Sequence, residues 1–184
     1  MCNLGRKWRV DNSWHAICYC ISENGGGMMA GPNILLTRID NRLVHGQVGV
    51  TWTKTLGANL IIVADDIVAS EPLQQSLMQV TAKSSGAGIR FFTVKHTAEI
   101  IGNAAPEQKI FIICRTPKEV RQLVELGVDL KEVNVGNMHF SEGKKPITKK
   151  VYVSDQDMED LKFVSNKGIK VYAQDIPGDS ILKI

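Results

Sequence analysis

The sequence predicts an open, doubly wound α/β domain: one domain with a mostly parallel sheet and helices on both faces. Three observations predict it. Short, continuously apolar runs recur along the chain, as strands buried on both faces require. Helix-length segments with start and stop signals separate them, which implies crossovers onto a parallel sheet. No repeat of fixed period, low-complexity stretch or internal linker interrupts residues 30–184.

The first strand is expected at Ile34–Ile39, followed by a polar stretch from Asp40 to His45. A helix is expected over Gly46–Leu56, stopped by Gly57. Asn59–Ala64 is the second strand, rich in β-branched residues. Ser70 is the expected N-cap of a helix with Pro72 in its first turn. That helix should reach Lys83 with Leu73, Leu77 and Val80 on its apolar face. Arg90–Val94 is the third strand and His96–Gly102 a short helix. Lys109–Cys114 is the fourth strand. Thr116-Pro117 opens a helix carrying Val120, Leu123, Val124 and Leu126, and Gly127 stops it. Glu132–Val135 is the fifth strand, with residues 137–148 irregular and a short strand at Val151–Val153. Ser154 caps a helix over Asp155–Asn166, and Lys170–Ala173 is the last strand.

Residues 1–29 are expected to be a disordered N-terminal extension outside the domain at 30–184. They show no helix or strand period. Asp11, Asn12, Ser13 and His15 break any secretory signal. The run Glu23-Asn24-Gly25-Gly26-Gly27 before Met28-Met29 suggests a purine-rich ribosome-binding stretch read in frame. The hypothesis is that translation starts early, with Met28 or Met29 the natural start. N-terminal sequencing of the native protein tests it, and finding Cys2 near the mature terminus would sink it.

Three of the four cysteines lie in that extension, and Cys114 sits inside an apolar run, so no disulfide framework or zinc pair is indicated. The 184 residues carry a net charge of +3 on a mixed surface, too weak to argue for nucleic acid. No apolar run approaches the roughly 18 residues a membrane span needs, so a soluble chain is expected.

In an open parallel sheet, ligands bind beyond the carboxyl ends of the strands. The loop after the first strand reads Arg38-Ile-Asp40-Asn41-Arg42-Leu-Val-His45-Gly46-Gln47. A histidine stands there at a helix start, with two arginines and a carboxylate within a few residues. Neutral imidazole is nucleophilic near pH 7. Asp40 is expected to hold one ring nitrogen protonated, and an arginine fork suits phosphoryl oxygens. The helix start at Gly46 and Gln47 offers N–H donors. These are the parts a phosphohistidine needs.

Other phosphate signatures are missing. There is no GxxxxGK[ST] and no GxGxxG after a strand. Asp65-Asp66 is an acidic pair whose plainer reading is a solvated loop. His96 reads as surface. His139, after the fifth strand, lies where it would approach the same site. Lys144, Lys145, Lys149 and Lys150 form a basic run, either a solvated face or a docking surface for an acidic partner. Trp52 reads as core or interface.

Two competing readings stay open on the residues alone. A phosphohistidine phosphatase or mutase usually places Arg directly before His-Gly, whereas Val44 stands there in this chain. A receiver-like module needs an acidic pair after its first strand, whereas Asp65-Asp66 follows the second.

The run Arg38-Ile-Asp40-Asn41-Arg42-Leu43-Val44-His45-Gly46-Gln47-Val48 resembles the active-site loop of enzyme IIB in the mannose/sorbose family of the bacterial sugar phosphotransferase system. Asn134-Val135-Gly136-Asn137-Met138-His139-Phe140 resembles that family's second motif. The resemblance covers the chain from about Pro32 onward. It implies a cytoplasmic phosphocarrier, peripherally associated with the membrane permease. Such a protein accepts a phosphoryl group from the cognate enzyme IIA and passes it to a sugar entering through membrane components IIC and IID. By resemblance His45 carries the group at Nδ1, Arg42 binds it or assists delivery, and Asp40 orients loop or imidazole. Arg38, Asn41, Gly46 and Gln47 are expected to bind phosphate, and His139 to contact it from the second loop. No cofactor, metal, nucleotide or nucleic acid is implied, and a homodimer stays open. The family often has an acidic residue in place of Asn41 and Gly in place of Asn137. Gly49-Val-Thr-Trp52 and Gly57-Ala-Asn59-Leu60 look closest to members handling N-acetylgalactosamine or galactosamine, ahead of sorbose or mannose.

Overall fold

A computed structural model describes residues 31–184. The expectations for residues 1–29, the early start and the cysteines there included, lie outside the described residues. Among those described, no helix is long and apolar enough to cross a membrane.

The strands are β1 (Ile34–Asp40), β2 (Leu60–Ala64), β3 (Gly88–Phe92), β4 (Ile110–Cys114), β5 (Glu132–Asn137), β6 (Lys145–Pro146), β7 (Tyr152–Val153), β8 (Lys170–Ala173) and β9 (Leu182–Lys183). The main helices are α1 (Thr53–Leu56), α2 (Pro72–Lys83), α3 (Val94–Ile100), α4 (Pro117–Glu125) and α5 (Asp155–Asn166). The main sheet has the order β3-β2-β4-β1-β5-β8-β9. Every pair in it is parallel except β8 with β9. The doubly wound expectation therefore holds, with β1 at the centre.

The winding explains the two faces. From β1 the chain steps through β2 to β3 in one direction, and its helices lie on one face. It then reverses through β4, β5 and β8, and right-handed crossovers put the later helices on the other face. Alternate side chains follow suit. Phe111 and Ile113 pack with Val48, Trp52, Met78 and Ala82, while Ile110, Ile112 and Cys114 pack with Val120, Leu123, Leu161 and Val164. Burying each valine, leucine, isoleucine, phenylalanine or methionine among them contributes about 1.5–3 kcal/mol.

Several local expectations hold. Thr116 and Ser154 cap α4 and α5 in reciprocal capping boxes with Glu119 and Asp157. Gly57 closes α1 with φ 65°, the left-handed conformation that costs glycine nothing. Others are corrected. Ser70 does not cap α2; its hydroxyl donates to the Ile67 carbonyl within a short 3-10 turn, and Glu71 precedes the helix instead. Leu73, Leu77 and Val80 face outward, exposed by 74%, 66% and 70%, and Met78 and Ala82 face the core. The helix after β1 opens as a wide π-helical turn over Gln47–Trp52 before α1. β3 lies two residues earlier than expected, so Val94 belongs to α3. The nominally irregular 137–148 stretch contains β6, paired antiparallel with β7, and the tail adds β9.

Candidate functional site

The site is built on the carboxyl end of β1, between β4 and β5. Asp40, the last residue of β1, has no exposed surface and organises the turn that follows. Its Oδ1 accepts the backbone N–H of Arg42 at 3.1 Å and lies 3.7 Å from the Arg42 Nε. Its backbone carbonyl accepts the N–H of Leu43 at 2.9 Å. Leu43 is buried at φ 54°, an unusual conformation for a branched residue, held by this turn and by the packing of its side chain. The Arg42 side chain is 42% exposed.

His45 follows, half-buried. Its Nδ1 lies 3.0 Å from the Leu43 carbonyl oxygen. Its Nε2 is buried and has no hydrogen-bond partner among the described residues. Burial holds the imidazole pKa below its ordinary value of 6.5, with Arg42 and Arg38 adding to the effect. The ring is therefore neutral near pH 7, and an Nδ1–H donated to Leu43 leaves the lone pair on Nε2.

The remaining expected residues act differently from the sequence reading. Arg38 was expected to bind phosphate, but it is wholly buried beneath the loop. Its guanidinium donates to Asp40 at 3.0 Å, to Asn134 at 2.5 Å and to the Gln174 carbonyl at 3.2 Å, and stacks on Trp52 at 5.0 Å. Asn41 uses its side chain to tie loops together, donating to the Arg115 carbonyl and accepting the His139 N–H. Gln47 donates to the Asp175 carbonyl at 3.1 Å and to its carboxylate at 3.3 Å. Each of these three side chains makes hydrogen bonds within the protein, and Arg38 has no exposed surface. Gly46 is exposed at the helix start. His139 reaches the site through its backbone, and its side chain is exposed. Asp40 does not touch the imidazole by hydrogen bond; it orders the loop.

The strand-end rule points to the loop at Arg115–Pro117, but no role for Arg115 was legible from the sequence. It stands at the end of β4, where its Nε pairs with Asp65 at 2.5 Å and its Nη1 lies 3.4 Å from the Asn41 carbonyl. Asp65 is buried, not solvated, and its other oxygen accepts the Val68 N–H. Asp66 accepts the N–H of Val94. The signal available was position: Arg115 follows an apolar strand directly. Of the basic run, Lys144 and Lys145 pair with Asp157 and Asp155 at the start of α5, and Lys150 pairs with Asp175. The run is thus largely neutralised within the fold. Among the described residues no group of three or more His, Cys, Asp or Glu is placed to hold a metal.

A single-domain doubly wound protein with a histidine–arginine loop at the carboxyl end of its central strand is the class that fold and site define. Residues 34–184 match the family model for the sorbose-subfamily IIB component of the phosphotransferase system. The chain belongs to that family. It is 67% identical to the N-acetylgalactosamine-specific phosphotransferase enzyme IIB component 1 of Escherichia coli K12 over 151 residues, covering 82% of this chain and 96% of that one. It is 43% identical over 146 residues to IIB component 2 of the same organism, covering 79% and 92%. The crystal structure of the Escherichia coli component 1 superposes with a TM-score of 0.81 at 66% identity, covering 83% of this chain and 99% of that chain.

Proposed function

We propose that this IIB component is a cytoplasmic phosphocarrier, docked peripherally on its permease. It takes a phosphoryl group from the phosphohistidine of a cognate enzyme IIA onto His45. It delivers the group to a sugar presented by membrane components IIC and IID. The observation that carries the reading is the Asp40-ordered turn, which holds the half-exposed Arg42 three residues from a neutral histidine. The sugar is N-acetylgalactosamine or galactosamine, a reading supported by the names of the relatives with 67% and 43% identity.

The chemistry asks for little covalent machinery. A ring lone pair of His45 attacks phosphorus in line, the donor's P–N bond breaks, and the donor imidazole keeps that electron pair. In delivery the sugar hydroxyl attacks phosphorus and the P–N bond to His45 breaks, with the electron pair going to the ring. There Arg42 neutralises charge on the equatorial oxygens, and the exposed backbone at Gly46 adds donors. Attachment at Nδ1 requires the tautomer with its proton on Nε2. The Nδ1 contact with Leu43 therefore opens, and the ring turns outward, before transfer.

The test is labelling from phosphoenolpyruvate through the general phosphotransferase proteins and the cognate enzyme IIA. One acid-labile phosphoryl group by intact mass, absent in His45→Ala and mapped to Nδ1, is expected. Labelling that persists in His45→Ala moves the active residue elsewhere. No labelling from a competent donor overturns the reading.

A further inference from the structure

Resting on the phosphocarrier reading, we infer that Arg38 is a positioning residue that acts through Asp40 to keep the Arg42 guanidinium available to the phosphoryl group, with Gly136 as the space that makes this possible.

The buried charges define the role. Asp40 is wholly buried and faces two arginines. Its Oδ2 is taken by Arg38 at 3.0 Å, while its Oδ1 holds the Arg42 backbone at 3.1 Å and lies 3.7 Å from the Arg42 Nε. The Arg38–Asp40 pair cancels within the protein. The Arg42 charge is left over at the surface, where an anion meets it. Without Arg38, a buried carboxylate would face Arg42 alone and draw that guanidinium inward.

Arg38 is held at both terminal nitrogens and on one face, while its buried Nε has no hydrogen-bond partner among the described residues. Asn134 and the Gln174 carbonyl take its Nη1, and Trp52 covers its face. Trp52 is itself held, its indole N–H donating to the Asp175 carbonyl at 2.9 Å. On the remaining side lies Gly136 in β5. A Cβ there would fall inside the guanidinium, whose carbon and both terminal nitrogens occupy that space. The guanidinium ends a flexible chain, but its bonds to Asp40, Asn134 and the Gln174 carbonyl hold it there, so an alanine must displace it against them. Gly136 and Arg38 therefore form one device, spread over two adjacent strands.

Gly136→Ala separates this role from a charge change, since it leaves every ionisable group in place. Uptake of one phosphoryl group onto His45 is expected to reach the wild-type end point. Delivery to sugar is expected to fall about a hundredfold, the scale of an ångström-sized misplacement. The double variant Gly136→Ala/Arg42→Ala should be no slower than Arg42→Ala alone, because both act through one group. Additive losses, or equal loss of both half-reactions, overturn the proposal. A merely structural role would not produce that epistasis.

Two NMR readouts stand apart from turnover. In unphosphorylated Gly136→Ala the Arg42 backbone amide resonance should move, and an unmoved amide overturns the proposal. In wild type phosphorylated chemically with phosphoramidate, the Arg42 Nε–H should shift while the Arg38 Nε–H does not. A comparable Arg38 shift would make it a direct phosphoryl ligand and overturn the proposal. The wild-type arm holds even if Gly136→Ala fails to fold. Absence of enzyme IIA labelling in wild type would fail the carrier reading alone, because the amide readout needs no phosphate donor.

Discussion

The side-chain oxygen of Asn41 accepts the backbone N–H of His139 at 2.6 Å, while its amide nitrogen donates to the carbonyl of Arg115 at 2.8 Å. One side chain thus joins the ends of β1, β4 and β5. Asn41→Ala leaves a donor and an acceptor without partners, a loss of about 1–3 kcal/mol. Urea unfolding should show that loss, and the His139 amide should exchange faster with solvent. An unchanged midpoint would show that water replaces both bonds.

Arg42→Ala separates the two half-reactions. The His45 nucleophile remains, so phosphoryl uptake from enzyme IIA should stay within about tenfold of wild type, as the donor protein supplies its own groups. Delivery to sugar should fall by about 100–1,000-fold, the cost of removing one preorganised charge-stabilising donor. Rapid-quench measurement of each step checks this. Equal losses in both steps would remove the assigned division of labour.

The acid limb of phosphoryl acceptance should lie below pH 6.5. Burial depresses the His45 pKa in the folded protein, so the neutral, nucleophilic ring persists where an ordinary histidine is half protonated. The sign for stability is the same as for a depressed carboxylate. The unfolded chain binds the proton first, so the contribution of neutral His45 is present above pH 6.5 and lost as pH falls through the folded value. NMR titration of the ring carbon-bound protons, beside a pH–rate profile of labelling, gives the midpoint. A midpoint at or above 6.5 contradicts the burial argument.

The orientation of α2 makes a paired prediction. Leu77→Gln should change stability by less than about 0.5 kcal/mol, as for other surface sites. Met78→Ala, one residue on, should cost about 2–5 kcal/mol, because it empties core volume. Thermal melts of the two variants decide it, and the reverse ranking would place the helix as the sequence reading expected.

That helix shows where sequence reading runs out. Leu73, Leu77 and Val80 make a helical stripe, and hydrophobic periodicity assigns such a stripe to the core. Periodicity finds the helix but cannot tell one weakly polar face from another, and Pro72–Ala82 carries no charge to mark its solvent side. Inner strands such as β2 and β4 were legible because both faces are buried and their apolar runs are continuous, whereas the short, exposed β6 and β9 were not. Caps such as Ser154 were legible because their chemistry is local. The position of His45 and Arg42 was legible because one loop carries both. The buried contacts of Arg38 were not, since its partners Asn134 and Gln174 stand 96 and 136 residues away. The role of Arg115 was illegible for the same reason: it comes from Asp65 and Asn41 across the sheet.

The central place of β1 has a consequence for synthesis. The strand that leads into the His45 loop leaves the ribosome before β4 and β5, the two strands it pairs with. Asn134, Gly136 and the His139 amide all come from that later stretch. A nascent chain ending before β5 therefore has its histidine but lacks Asn134, Gly136 and the His139 amide around it. The last partners to appear, Gln174 and Asp175, follow β8, so the site is completed only by contacts distant in sequence, which form slowly.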